Sequence, residues 1–295
     1  MSFKTAWTAF AGMVTGRGPV PTDPDRGTQT DSPPGDDATE GSGGGIEIVG
    51  DIADNVIELG ENITLTGVIR GRGNVIRIAA SRDLQTLNLH VHGNDNTVTI
   101  GARSVLQSLR VEIGSERWRC SRSRLIIGNG FSIASQSRFI LPNSGNIVEI
   151  GNDCMFSSNI VVRAGEYPHL IFDRETGDYL DVSEGIFIGD HVWVGDGAFV
   201  GKSVTLPAHS IIGTRSVVTK RFDETHCVIA GNPARIVKRA VQWIANEYTL
   251  EREFPLGHGA FAHTEVDRIN RAERERDAAL LDHENQASAV PDKSD

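Results

Sequence analysis

The sequence predicts an all-β chain wound into a stacked, three-sided coil. Three observations carry this. From Ile188 to Phe222 every sixth residue is a branched or bulky aliphatic: Ile188, Val194, Val200, Leu206, Ile212 and Val218. The residue after each is Gly189, Gly195, Gly201, Pro207, Gly213 or Thr219. Four places after each aliphatic stands Val192, Ala198, Val204, Ser210, Ser216 or Phe222. Such a period belongs neither to a helix nor to a simple strand; it is an internal repeat.

Each unit makes one short strand and one turn, and three units close a coil. The repeated aliphatic points inward, about 4.8 Å above its counterpart in the coil below. Glycine after it allows the tight turn, and the residue at the fifth position fits a corner.

The chain has 295 residues, 32 of them glycine, and a formal net charge of −10. That charge argues against nucleic acid as the main partner. Cys120, Cys154 and Cys227 lie far apart without metal-ligand spacing. With no secretory signal, a reducing, cytoplasmic setting is expected. No apolar run is long enough for a transmembrane helix. The mildly apolar stretch Ala6–Val14 is interrupted by Thr8 and Gly12.

Residues 15–45 are rich in Pro, Gly, Asp, Ser and Thr, so 1–45 reads as a disordered tail. From Ile46 to about Val162 the repeat returns in worn form, as in Val98-Thr99-Ile100-Gly101 and Val148-Glu149-Ile150-Gly151. Its register slips at Arg70–Asn74 and Asn143–Asn146, where Gly and Asn suit lengthened turns. About seven coils are expected in the β domain, residues 46–236. Residues 163–185 are polar, charged and aromatic, and break the repeat completely. They are expected to leave the coil as an excursion loop, a usual place for function. Val237–Tyr248 has apolar residues at helical spacing, which predicts a helix closing the coil's open end. Residues 264–285 read as a charged helix or tail, completing a C-terminal region at 237–295.

Several segments together resemble the hexapeptide-repeat acyltransferases. They are His169-Leu170-Ile171-Phe172-Asp173, Thr176-Gly177, Ile188-Gly189-Asp190-His191-Val192-Trp193-Val194-Gly195 and Ala230-Gly231-Asn232-Pro233-Ala234. The branch they resemble O-acetylates capsular and other surface polysaccharides. The resemblance runs from Asn159 to about Trp243. It implies a left-handed parallel β-helix, acetyl-CoA as donor, and a homotrimer with sites shared between subunits.

His169 is the candidate catalytic residue. A neutral imidazole suits general-base work on a sugar hydroxyl. Coenzyme A is already a good leaving group, so direct attack needs no acetyl-enzyme. Glu166, Asp173 and Asp181 are all available to orient the ring, and the sequence does not choose among them. Trp193, between two inward aliphatics, should face outward, and the resemblance puts it beside the donor or acceptor. Tyr167, Asp173 and His191 are candidate acceptor-side residues, although a turn histidine such as His191 also suits plain solvation.

Lys202, Arg215, Lys220, Arg221, Arg235, Lys238 and Arg239 stand against only Asp223 and Glu224 in Val200–Ala240. Such a basic run suits the phosphates of coenzyme A. By the resemblance those phosphates lie near Lys220 and Arg235, with Gly201, Gly213 and Ala230 allowing close approach. His90 and His92 alternate on one strand without a third ligand, and His209 reads as structural; no metal is expected. The reading is an acetyl-CoA-dependent O-acetyltransferase. Its alternatives are an N-acetyltransferase of an amino-sugar nucleotide and a non-catalytic β-helix scaffold.

Overall fold

The structure is a computed structural model, described here for residues 44–245. The expected tail 1–45, apart from Gly44 and Gly45, and the charged stretch 264–285 lie outside the described residues.

Twenty-two strands form three sheets of eight, seven and seven. The chain visits the first face, then the second, then the third, and climbs one level. The first face runs from strand Ile46–Gly50 up to Val217–Val218. The second runs from Val56–Leu59 to Thr205–Leu206. The third starts only at Val105–Leu106 and ends with Cys227–Gly231 and Ala234–Arg239. Every pairing is parallel except the last, so the fold is a three-sided parallel β-helix.

Parallel register stacks like on like. One inward column on the first face reads Leu89, Val111, Phe139, Val162, Val200, Val218. The second face stacks Ile78, Ile100, Ile127, Ile150, Ile188, Leu206. The third stacks Leu106, Ile133, Phe156, Val194, Ile212, Ile229. All of these are buried. The fifth-position residues Val192 to Phe222 are buried too, so each unit of the regular repeat supplies two core side chains. Midway up, Phe131, Phe139 and Phe156 meet edge to face at 5.1–6.3 Å, filling the axis with larger rings.

The register slips belong to the first corner, between the first and second faces. Turns there lengthen at Arg70–Val75, Leu141–Ile147 and, beyond those singled out from sequence, Ile113–Arg124. A buried amide ladder holds them. Asn74 donates from its backbone and side chain to Asn55 Oδ1 (2.8 Å each). Asn96 repeats this on Asn74 Oδ1 (3.0 and 2.9 Å) and accepts the Ser123 N–H (2.9 Å). Such side chains satisfy turn backbone that the sheets leave unpaired.

The upper end differs from the expected helix. Val237–Arg239 continue the strand Ala234–Arg239, which folds back antiparallel on Cys227–Gly231. Ladder hydrogen bonds outbid a helical pattern whose leading residues, Ile236 and Val237, are β-branched. Residues 240–245 are not helical, and 246–248 lie outside the described residues. Charged Arg235, Lys238 and Arg239 on this last strand discourage further edge pairing.

Removing one rung tests the amide ladder. Asn96→Ala leaves the Ser123 N–H, the Cys120 carbonyl and Asn74 Oδ1 without that partner. Unfolding in urea should show a loss of about 2–3 kcal/mol, the cost of buried polar groups left unpaired.

Candidate functional site

The strand Val161–Arg163 ends the first face of its coil, and the second face resumes at Ile186–Ile188. Residues 164–185 therefore leave the prism as an arm at the first corner. The arm makes its own small hairpin. Phe172 and Tyr179 bridge antiparallel with rings 5.4 Å apart, and the Leu180 N–H donates to the Ile171 carbonyl at 2.8 Å. At the tip Asp173 Oδ1 accepts the Glu175 and Thr176 N–H groups, each at 2.8 Å. Those two bonds, Thr176 first, hold the Asp173 carboxyl below its usual pKa. Asp173 thus shapes the turn that carries Gly177, whose φ of 77° suits glycine.

One buried carboxylate ties the arm down. Asp181, with a fully buried side chain, accepts the Glu166 N–H (3.1 Å) and the Tyr179 hydroxyl (3.3 Å). Its other oxygen pairs with the Lys202 ammonium, from the next coil. Both ends of the arm are therefore gathered on one charge. His169 lies between them and is exposed. Its backbone N–H donates to the Glu166 carbonyl (3.2 Å), while its ring has no hydrogen bond among the described residues. Tyr167 packs edge-on against Trp118, from the turn two coils below, at 6.2 Å.

The second corner, between the second and third faces, holds a group that sequence reasoning missed. His191, His209 and His226 occupy the same turn position on successive coils, with φ of 55°, 60° and 54°. Their rings line up, His191 to His209 at 5.4 Å and His209 to His226 at 4.7 Å. Trp243 stacks on His191 at 4.0 Å. Its indole N–H donates to the His191 carbonyl (2.9 Å), and His191 Nε2 donates to the Trp243 carbonyl (3.2 Å). His191 is thus engaged by protein rather than solvated. The signal was present in sequence: His191 and His209 stand one full coil apart. The rings lie side by side rather than converging, and no group of His, Cys, Asp or Glu among the described residues is placed to hold a metal ion. His90 donates instead to Asn88 Oδ1 (3.1 Å).

The candidate donor residues divide among three places. Trp193 faces outward from the third face, its indole N–H 3.5 Å from Ser157 Oγ. Gly213, Ala230 and Arg235 come together where the third face meets the first. Ala230 pairs with Arg235, and a methyl on Gly213 would stand 2.8 Å from Ala230 Cβ. Gly201 and Lys220 sit at the first corner instead, with the Lys220 ammonium 5.1 Å above the Phe222 ring. Of the basic run, Lys202, Arg221 and Arg239 are engaged by Asp181, Glu184 and Glu224. The first corner lies opposite the third face, so in one chain His169 and Trp193 point to different sides.

Two measurements probe this geometry. Lys202→Met leaves the Asp181 carboxylate buried and unpaired, so trypsin should cut faster at Arg174 on the arm; Lys202→Arg should restore much of the protection. Separately, burial lowers the His209 pKa, and His226 and His191 lower it further against Asp190. A folded pKa below the ordinary 6.5 means that the unfolded chain binds the proton better. Stability carried by His209 is present above about pH 6.5 and drains away as pH falls. His209→Asn, which tolerates the same backbone, should flatten the drop in Tm between neutral and acidic pH.

Comparison with known proteins follows this geometry. No family model matches the chain. A polysialic acid O-acetyltransferase of Escherichia coli O1:K1 is 29% identical over 121 residues, 41% of this chain. The match spans 38% of that relative's length. Among solved structures, the polysialic acid O-acetyltransferase OatWY superposes with a TM-score of 0.60 at 23% identity, covering 71% of this chain and 99% of that one. The polysialic-acid-specific acetyltransferase NeuO gives 0.52 at 25%, covering 73% and 94%. The shared architecture is the left-handed parallel β-helix. In repeat and in fold, this chain resembles the hexapeptide-repeat acyltransferases, in the branch that holds the polysaccharide O-acetyltransferases.

Proposed function

We propose that the protein transfers an acetyl group from acetyl-CoA to a hydroxyl of a polysaccharide. His169 is the general base. Its ring takes the hydroxyl proton as the oxygen attacks the thioester carbonyl. A new ester C–O bond forms, the C–S bond breaks, and the thiolate of coenzyme A leaves with a proton. Main-chain N–H groups at a coil corner polarise the carbonyl during attack. The observation that supports this reading most is the arm. It is fixed at its root by Asp181 and Lys202, and it presents an imidazole without a hydrogen-bond partner among the described residues.

In the proposal the site is composite. The arm stands at the first corner and Trp193 on the opposite face, so His169 of one copy works beside Trp193 of another, as in a trimer. Outward side chains support such packing. Val161, Phe199 and Val217 stack on the first face, and Met155, Trp193, Ile211 and Val228 on the third. Apolar columns of this kind suit contact between subunits. Gly213, Ala230 and Arg235, at the edge of the third face, are the donor-side residues in this arrangement.

His169→Ala with acetyl-CoA and a glycan panel tests the base. Thiol release should fall by about 10²–10⁴, the usual worth of a positioned base. A loss below about tenfold contradicts the role.

A further inference from the structure

We infer that the first corner, on the coils below the arm, is a docking track for an anionic polysaccharide. The inference rests on the proposed glycan acceptor and assigns it a path along the prism.

Charge marks the path. Arg70 and Arg72 are exposed on one turn of this corner, and Arg119 and Arg122 on another two coils higher. None has an ion pair among the described residues. On the flat faces Arg77, Arg110 and Arg124 are each engaged by a glutamate, whereas Arg138 and Arg235 have no ion pair among the described residues. In a chain of net charge −10, arginines left free of acids call for a ligand that supplies them.

The backbone holds the four together. Arg70 lies in register with His92 on the next coil. Burial lowers the His92 pKa; Glu116 opposes, and Arg119 and Arg70 push the same way as burial, so these groups surround one imidazole. Arg72 and Arg122 bracket Asn94, one donating its N–H to the side-chain oxygen and the other to the carbonyl, both at 3.1 Å. Glu116 and Asp95 are the acids on these turns, and Asp51 and Asp54 lie one coil lower.

An aromatic step joins the track to the arm. Trp118 is 37% exposed, and its tight turn is closed by mutual backbone bonds with Ser115 (2.8 and 3.2 Å). It meets Tyr167, two residues before His169. A sugar ring offers an apolar face to indole, and carboxylates on the glycan offer partners to arginine. A polymer lying up this corner reaches the candidate base. A neutral glycan would leave the arginines unused.

Binding of fluorescent oligogalacturonate to the full chain tests the track without requiring turnover. Binding should weaken with salt, and dextran of equal length should not bind. Arg119→Ala/Arg122→Ala should lose about tenfold in affinity at unchanged Tm, because both side chains are exposed. Trp118→Ala should weaken the component that persists at high salt. His169→Ala should bind as the parent does. If that variant also keeps full turnover, the base assignment fails while the track stands. Unchanged affinity in the double arginine variant, equal binding of dextran, or equally tight single-stranded DNA each overturns the track.

Discussion

The register between successive coils is the constraint on which the rest depends. Each inward residue must sit on the one below at strand spacing, so a coil cannot change length without opening a turn. At the second corner this makes the chain adopt one geometry repeatedly. Arg103, Gly130, Asp153, His191, His209 and His226 all turn there with φ between 53° and 68°. For a non-glycine residue such a conformation costs on the order of 1 kcal/mol or more. Side chains one coil apart offset that cost. Asn129 Oδ1 accepts the Ala102 N–H (2.9 Å), Asn152 Oδ1 the Asn129 N–H (2.9 Å), and Asp190 Oδ1 the Asn152 N–H (2.6 Å). The histidine column is a by-product of the same rule. Whatever occupies that turn position is stacked on its counterpart.

From the coil of Val105–Leu106 upward, the long insertions fall at the first corner. There the turns lengthen, the amide ladder replaces missing sheet bonds, and the arm departs. Inside the prism, Val162 and Val200 pair across the arm's root just as Val200 and Val218 pair without one. The insertion leaves the core untouched because its roots meet at adjacent faces. The scaffold supplies rigidity, and in the proposed reaction the corner supplies chemistry at little cost in packing.

This division explains what sequence could and could not reveal. The six-residue spacing from Ile188 to Val218 fixes which side chains point inward, because burial on three faces leaves no other period. Trp193 is placed outward by the same count. The arm was visible as a break, but not its anchor: Asp181 was one of three acids, and only packing shows it meeting Lys202. Lys202 itself read as part of a donor-binding run, since charge in sequence carries no partner. The strand Ala234–Arg239 was hidden by apolar spacing that fits a helix equally well. Trp243 was silent, because its partner His191 lies fifty-two positions earlier, on a lower coil.

The accounting of carboxylates around the arm reaches further than the arm itself. Asp173 is spent on the Glu175 and Thr176 N–H groups, and Asp181 on Lys202, Glu166 and Tyr179. Glu166 faces Arg163 at 3.3 Å. Turning any of them toward His169 would abandon a bond that shapes or anchors the arm, and freeing Asp181 would leave the Lys202 ammonium without its partner as well. A base still needs its ring oriented, since a freely rotating imidazole meets the hydroxyl in the right pose only part of the time. With those three acids committed, the bound glycan or a second copy can supply the orienting group in the proposed reaction. An acidic polymer lying against Trp118 and Tyr167 brings carboxylates to that spot. Where the glycan supplies it, acceptor and orienting group are one molecule, and neutral sugars are poor acceptors even where they fit.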